Sequence, residues 1–297
     1  MDAFTILLNV FILGFVYGFA EESKMIDEVK EFDNLLKEDN AFAVLFTQAC
    51  CACTECVEAE VLLGGMSKEL EDNLAILVLR VKEPALKARY GIKKVPALAF
   101  IRDNKTAIYD GQFEFEALYY WMQDNRQPLT VDLDDSNFEH LTQAATGATT
   151  GDWLVIFHDD TCKNRELIHL EDAGIKLRGR VNVASLDTRI APETAKRFKV
   201  SSCPHVIFFR HQKMYRFSLP DITSKTLRKF SEGFYKNSKA EVVPLPASFF
   251  DKLTDKTVEF IDQHQLTLII VLVGTTACTV LYLIYTLVKP NPHKKTE

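Results

Sequence analysis

The sequence predicts an α/β protein in which two successive halves repeat one order of strands and helices and a single membrane-spanning helix follows. Three observations carry this prediction. The chain has 297 residues, room for about two domains at about 150 residues each. Short apolar runs of strand character alternate with helical patterns, and the order found from Ile26 to Gln123 returns from Val131 to Phe234. The run Leu266 to Val288 is uncharged over about 23 residues, enough to cross a hydrocarbon core of about 30 Å. Hydrophobic residues make up 47% and charged residues 26%, which suits packed cores and excludes wholesale disorder. Gly 12 and Pro 10 are too few for a fibrous or low-complexity chain. A net charge of −6 without a basic run excludes electrostatic capture of nucleic acid.

Each element follows from its local pattern. Phe4 to Leu13 is apolar, Gly18 and Ala20 place small residues at −3 and −1 of a cleavage site, and Glu21 opens a polar segment. Residues 1–20 are therefore expected to be a cleaved secretory signal, their apolar core being short for a retained anchor. The first half, 21–128, starts with a helical pattern from Ile26 to Leu36, then a buried strand at Ala43–Phe46 and a cysteine cluster. Helix is expected from Val57 to Leu70, strand from Leu74 to Val81, and a short helix from Pro84 to Tyr90. Strand Val95–Ile101 turns at Asp103-Asn104 into Ala107–Tyr109, and an amphipathic helix closes the half at Phe115–Gln123.

The second half, 129–238, repeats this order. Val131–Leu133 precedes a helix starting near Ser136, then come strand Trp153–Phe157, a helix after Arg165 and strand Val181–Ala184. A short helix at Pro192–Phe198, strands at Val200–Phe209 and Met214–Phe217, and a last helix at Thr223–Phe234 complete it. Pro96 and Pro204 open the matching strands, and proline in a strand is confined to such positions because it cannot donate to a ladder. Residues 239–265 read as a juxtamembrane linker and 266–288 as the span. Lys289, His293, Lys294 and Lys295 follow the span while Glu259 and Asp262 precede it, so the tail 289–297 is expected in the cytosol. Lys294 and Lys295, fourth and third from the end, match the dilysine retrieval signal of endoplasmic reticulum membrane proteins, an address read by coat machinery.

Val44-Leu-Phe46 with Tyr90-Gly-Ile-Lys-Lys-Val-Pro96, and Val155-Ile-Phe157 with Phe198-Lys-Val-Ser-Ser-Cys203-Pro204, resemble thioredoxin domains. Over about residues 22–238 the chain is similar to the transmembrane thioredoxin-related members of the protein disulfide isomerase family. The resemblance implies a mixed central sheet flanked by helices in each half. It also implies thiol–disulfide exchange on unfolded or cysteine-containing secretory proteins, in a membrane protein whose two domains are lumenal. The alternative is a non-catalytic chaperone or adaptor that binds such clients.

Four of the 7 cysteines fall in Cys50-Cys51-Ala-Cys53-Thr-Glu-Cys56, between a strand and a helix. Dithiol exchange needs one thiol to attack a disulfide and a second to resolve the mixed disulfide. A helix N-terminus lowers the pKa of the attacking thiol. Two frames are open, Cys50 to Cys53 and Cys53 to Cys56; the helical pattern starting just after Cys53 favours Cys53 as nucleophile with Cys56 as resolver. Structural disulfides within the cluster remain an alternative, as does a purely binding domain. Zinc suits four such closely packed thiols poorly, and no metal or cofactor is expected.

The resemblance also marks departures. The tryptophan expected before the first cysteine is absent, Leu45 stands where relatives carry a buried carboxylate, and Glu55 puts a negative charge beside the thiols. Pro96 corresponds to the cis-proline beside the substrate groove, with Val95 supplying the backbone that holds a client. In the second half Cys162 has the nucleophile's place but Arg165 stands four positions into its motif, so the dithiol cycle cannot run within that motif. Cys203, immediately before Pro204, corresponds to a position facing the active-site cysteine, and Cys162 and Cys203 are expected to lie close enough to pair. Asn104-Lys-Thr106 is a glycosylation sequon at a hairpin tip.

Overall fold

The computed structural model describes residues 24–288 save 27, 39, 49–52, 148 and 149. The expected leader, Cys50, and the tail with Lys294 and Lys295 lie outside the described residues. The chain divides into two compact units, Met1–Pro244 and Leu245–Glu297.

In the first unit the elements run β1 (Lys24–Ile26), α1 (Val29–Leu35), β2 (Ala41–Phe46), α2 (Thr54–Leu74), β3 (Ile76–Val81), α3 (Pro84–Arg89), β4 (Ala97–Arg102), β5 (Lys105–Ile108) and α4 (Phe115–Asp124). The order then recurs as β6 (Thr130–Leu133), α5 (Phe138–Thr142), β7 (Asp152–His158), α6 (Lys163–Leu177), β8 (Val181–Asp187), α7 (Pro192–Arg197), β9 (His205–Arg210), β10 (Lys213–Arg216) and α8 (Ser224–Glu232). A 3-10 turn (Phe234–Asn237) and β11 (Ala240–Val242) end the unit.

The strands form two mixed sheets, ordered β1-β3-β2-β4-β5 and β11-β10-β9-β7-β8-β6. In each, the two strands on one side of the centre run parallel to it and the hairpin on the other side runs antiparallel. Helices cover both faces, the thioredoxin-like arrangement the resemblance implied.

Strand alternation divides each core in two. In β2, Ala43 and Leu45 face Ala59, Leu63, Met66 and Leu70 of α2, whereas Phe42, Val44 and Phe46 face Phe32 and Leu86. In β7, Val155 and Phe157 meet Phe138, Phe198 and Phe209, while Leu154 and Ile156 meet Leu170, Ala173 and Leu177 of α6. Both hairpins turn through two residues of positive φ, Asp103-Asn104 and His211-Gln212, the left-handed pair that matches strand twist.

Helix α6 joins the two sheets. Its Glu171 pairs with Arg102 of β4, and its Asp172 accepts from the Ile108 N–H of β5 at 2.8 Å. At Gly174 the same helix passes so close to β8 that a Cβ would meet Val183 Cγ2 at 2.5 Å.

Three elements differ from the sequence reading. The helical pattern from Ile26 begins as β1, which pairs with β3, so only Val29–Leu35 is helical. The segment 239–265, read as a linker, instead holds β11, paired with β10, and α9 (Phe249–Gln263). Pro96 and Pro204 lie just ahead of β4 and β9, each after a cis peptide bond.

The second unit contains α9 and α10 (Gln265–Val288). Residues Gln265–Leu287 have mean hydropathy 2.3 and are long and apolar enough to cross a membrane; at 1.5 Å per residue 23 residues span roughly 35 Å.

Candidate redox site

Strand β2 ends at Phe46, and Thr47 still donates its N–H to Val81 O at 3.1 Å. Cys53 caps the N-terminus of α2. Its Sγ accepts from the Cys56 N–H at 3.2 Å, and it is disulfide-bonded to Cys56 with Cα atoms 5.2 Å apart. Cys53 is half-buried, whereas Cys56, one turn into the helix, is only 3% exposed. Of the two frames left open by the sequence, the described residues show Cys53 to Cys56. A sulfur at a helix N-terminus, in a less buried residue than its disulfide partner, is an arrangement able to support attack and resolution.

The register of β2 with β4 places Phe46 opposite Ala97, so the cis Val95–Pro96 step lies at the sheet end from which the cysteine loop departs. Leu45 is fully buried beneath α2. The position where relatives carry a carboxylate is thus apolar. Glu55 points outward, and Val57 and Val61, one and two turns along from Cys53, are 60% and 71% exposed.

The second half repeats the frame with different chemistry. Phe157 lies opposite His205, so the cis Cys203–Pro204 step holds the place in its sheet that Val95–Pro96 holds in the first. Cys162 caps α6 and is disulfide-bonded to Cys203, their Cα atoms 6.0 Å apart. The sulfur that receives a backbone N–H here is Cys203, from Asp159 at 3.2 Å. Cys162 receives no capping bond.

Asp159, which sequence reasoning did not single out, is the first residue of an Asx turn. Its carboxylate accepts from Thr161 N at 2.7 Å and Thr161 Oγ1 at 2.5 Å, and those bonds hold it below the usual carboxylate range. The signal was present as Asp159-x-Thr161 ahead of a helix. His205 is held toward its neutral form by burial and then by the Arg216 guanidinium, 2.8 Å from Nε2. Asp159, Cys162 and Cys203 bring ligand-type atoms within 4.8 Å of one another. With the two sulfurs bonded to each other, this donor set suits redox chemistry rather than a metal. Asn104 is exposed at the β4–β5 turn.

Comparison with known proteins agrees with this architecture. The family model described as "Thioredoxin-like domain" matches residues 66–233, from within α2 to the end of α8. That span includes Pro96, Cys162, Cys203 and Pro204 and starts after Cys56. A "Thioredoxin domain-containing protein" of Theileria parva is 36% identical over 133 residues, covering 44% of this chain and 60% of that protein. The chain therefore matches only part of that relative's length. Among solved structures, it is similar to ERdj5 form II at 18% identity, covering 71% of this chain and 29% of that one, with a TM-score of 0.38. It is also similar to the human ERp44 zinc-bound form, at 13% identity, 78% and 61% coverage and a TM-score of 0.36.

Proposed function

The chain belongs to the thioredoxin-like domain family, and from that premise we propose that it is a membrane-anchored thiol–disulfide oxidoreductase of the endoplasmic reticulum acting on folding secretory proteins. The observation that carries this reading is the half-buried Cys53, whose sulfur caps a 21-residue helix and accepts an amide N–H, with Cys56 buried one turn into that helix. In the reductive direction, Cys53 thiolate attacks one sulfur of a client disulfide, forming a mixed disulfide and releasing the other client sulfur as thiolate. Cys56 then gives up its proton and attacks Cys53, which expels the second client thiolate and closes Cys53–Cys56. The oxidative direction is the same sequence reversed. The backbone at the cis Val95–Pro96 step is the place for the client strand. The apolar helix Gln265–Val288 supports the anchor, and the sequon and C-terminal lysines support the lumenal orientation.

One observation favours the second reading, a non-catalytic chaperone or adaptor. Leu45, buried on the face of β2 that packs under α2, stands where the resemblance implies a carboxylate that helps move protons. A redox titration in glutathione buffers with differential alkylation, together with an insulin-reduction assay, separates the two. Exchange at Cys53–Cys56 that Cys53→Ser abolishes supports the oxidoreductase. A wild-type pair that never equilibrates with glutathione supports the adaptor.

A further inference from the structure

We propose that Cys162–Cys203 is a second exchange centre, in which Cys162 takes up the client sulfur and Cys203 departs as the thiolate. This extends thiol exchange to the second half and does not require the first pair to be active.

The inference starts from the direction of one hydrogen bond. At the first pair the backbone N–H falls on the sulfur that caps the helix, Cys56 N to Cys53 Sγ at 3.2 Å, but Cys56 is buried and Cys53 is not, so access and not the amide selects the sulfur a client attacks there. At the second pair it falls on the strand-side sulfur, Asp159 N to Cys203 Sγ at 3.2 Å, while among the described residues the helix-capping Cys162 makes no capping bond. A disulfide opens fastest when the departing sulfur forms the more stable thiolate. A directed amide N–H supplies that stabilisation. The positive field at the start of α6 reaches both sulfurs, since one bond separates them, and so selects neither. The Asp159 carboxylate lies within 4.8 Å of both and disfavours negative charge on either. The amide is the directed contact that distinguishes the two.

The topology supplies the remaining parts. Arg165 stands where the first motif has its resolving cysteine, and Cys203 provides the missing thiol from just ahead of β9. It occupies the register position that Val95 holds in the first half. Both bonded cysteines are half-buried, as Cys53 is, so a client thiol can reach them.

A client thiolate attacks Cys162 Sγ. The client–Cys162 bond forms, the Cys162–Cys203 bond breaks, and its electron pair goes to Cys203, held by the Asp159 N–H. A second client thiolate then attacks the client sulfur of the mixed disulfide and expels Cys162 as thiolate. The client has lost two electrons and the protein pair has gained them. A client with one thiol is instead ejected when Cys203 attacks Cys162 and restores the disulfide.

The test uses the oxidised full-length protein in detergent. It is exposed briefly to glutathione at neutral pH, quenched with acid, blocked with N-ethylmaleimide and mapped by peptide mass spectrometry. The expected result is glutathione on Cys162 and maleimide on Cys203, at least tenfold over the reverse pattern. Glutathione chiefly on Cys203, or a pair that stays closed until the protein unfolds, overturns the proposal. Cys203→Ser, charged at Cys162 by glutathione disulfide with release of one glutathione thiolate, is expected to hold that adduct at least tenfold longer than wild type, and an unchanged lifetime counts against Cys203 as resolver. Cys53→Ser is expected to leave the Cys162 adduct unchanged, so inactivity of the first pair is read separately from failure here.

Discussion

Arg102 and Glu171 meet at 2.5 Å with side chains 3% and 1% exposed, and they come from different halves of the chain. Arg102 ends β4 and also donates Nε to Asn125 O at 2.8 Å. Glu171, in mid-α6, also accepts from Leu129 N, Thr130 N and Thr130 Oγ1 at 3.0, 2.8 and 2.6 Å. The carboxylate thus binds the connection between the halves as well as the arginine. A charge this deep is tolerated because its partners are in place, and removing one side leaves the other uncompensated. Glu171→Ala is expected to destabilise the protein by about 3–5 kcal/mol, measured by urea unfolding through tryptophan fluorescence. Glu171→Gln, which keeps acceptor and shape, should lose less. Equal losses for the two variants would mean that packing, not charge pairing, holds the junction.

The neighbouring Asp172 gives the same junction a pH dependence. Burial pushes its carboxyl up to about 7, with Asp110 and Glu171 adding to the rise and the Ile108 N–H and Lys176 opposing it. Unfolded, the group titrates near 4. Between these values the folded chain holds a proton that the unfolded chain has lost, so this contribution to stability falls as pH rises from about 4 to about 7. Asp172→Asn keeps an oxygen for the Ile108 N–H and removes the titration. It is expected to stabilise the protein by on the order of 1–2 kcal/mol above pH 7, with the gain shrinking toward pH 4. Unfolding curves at three pH values decide it, and a gain independent of pH would refute the assignment.

These two acids show where the sequence was readable and where it was not. The apolar strands Ala43–Phe46 and Trp153–Phe157 announced themselves because strands buried on both faces have no polar side. Cys53 was legible as a helix cap because the periodic pattern starts right after it. Glu171 was not, although it sits on the stripe Leu170, Ala173, Gly174 and Leu177 that buries α6. A charge on a buried stripe signals a partner, but nothing in the sequence names one 69 residues away. Strands β1 and β11 escaped because three residues carry too little periodicity, and pairing with an existing sheet edge is what forms them. In the second site, the Cys162–Cys203 pair depended on the resemblance, whereas the Asp159 amide that distinguishes its two sulfurs is visible only in three dimensions.

Asn104 offers a check on orientation that does not rely on redox chemistry. It is exposed, with φ of 57°, at a two-residue turn whose flanking Lys105 is tied to Asp132 at 2.5 Å. A glycan there projects from the turn without unfolding β4 or β5. If this part of the chain is lumenal, the protein expressed in its own secretory pathway should shift to higher mobility on endoglycosidase treatment. Asn104→Gln should abolish that shift and leave the unfolding midpoint within about 0.5 kcal/mol of wild type. An unglycosylated protein under conditions where a control sequon is used would argue against lumenal exposure.

Gly174 links helix packing to the second disulfide. Replacing a mid-helix glycine with alanine ordinarily gains about 1 kcal/mol from backbone entropy. Here the new methyl would lie 2.5 Å from Val183 Cγ2 on β8, a fixed branched side chain that cannot swing away. Overpacking of this kind costs about 1–3 kcal/mol, so the balance favours net destabilisation of roughly 1–2 kcal/mol for Gly174→Ala. Relief requires α6 to move off the sheet, which carries its N-terminal Cys162 relative to Cys203 on the β9 side. Gly174→Ala is therefore expected to slow closure of Cys162–Cys203 during reoxidation while leaving Cys53–Cys56 unaffected. Adding Val183→Ala opens the space the methyl needs, and the double variant should recover both stability and closure rate beyond the sum of the single effects. Additive losses would show that the two side chains do not meet and that α6 keeps its place.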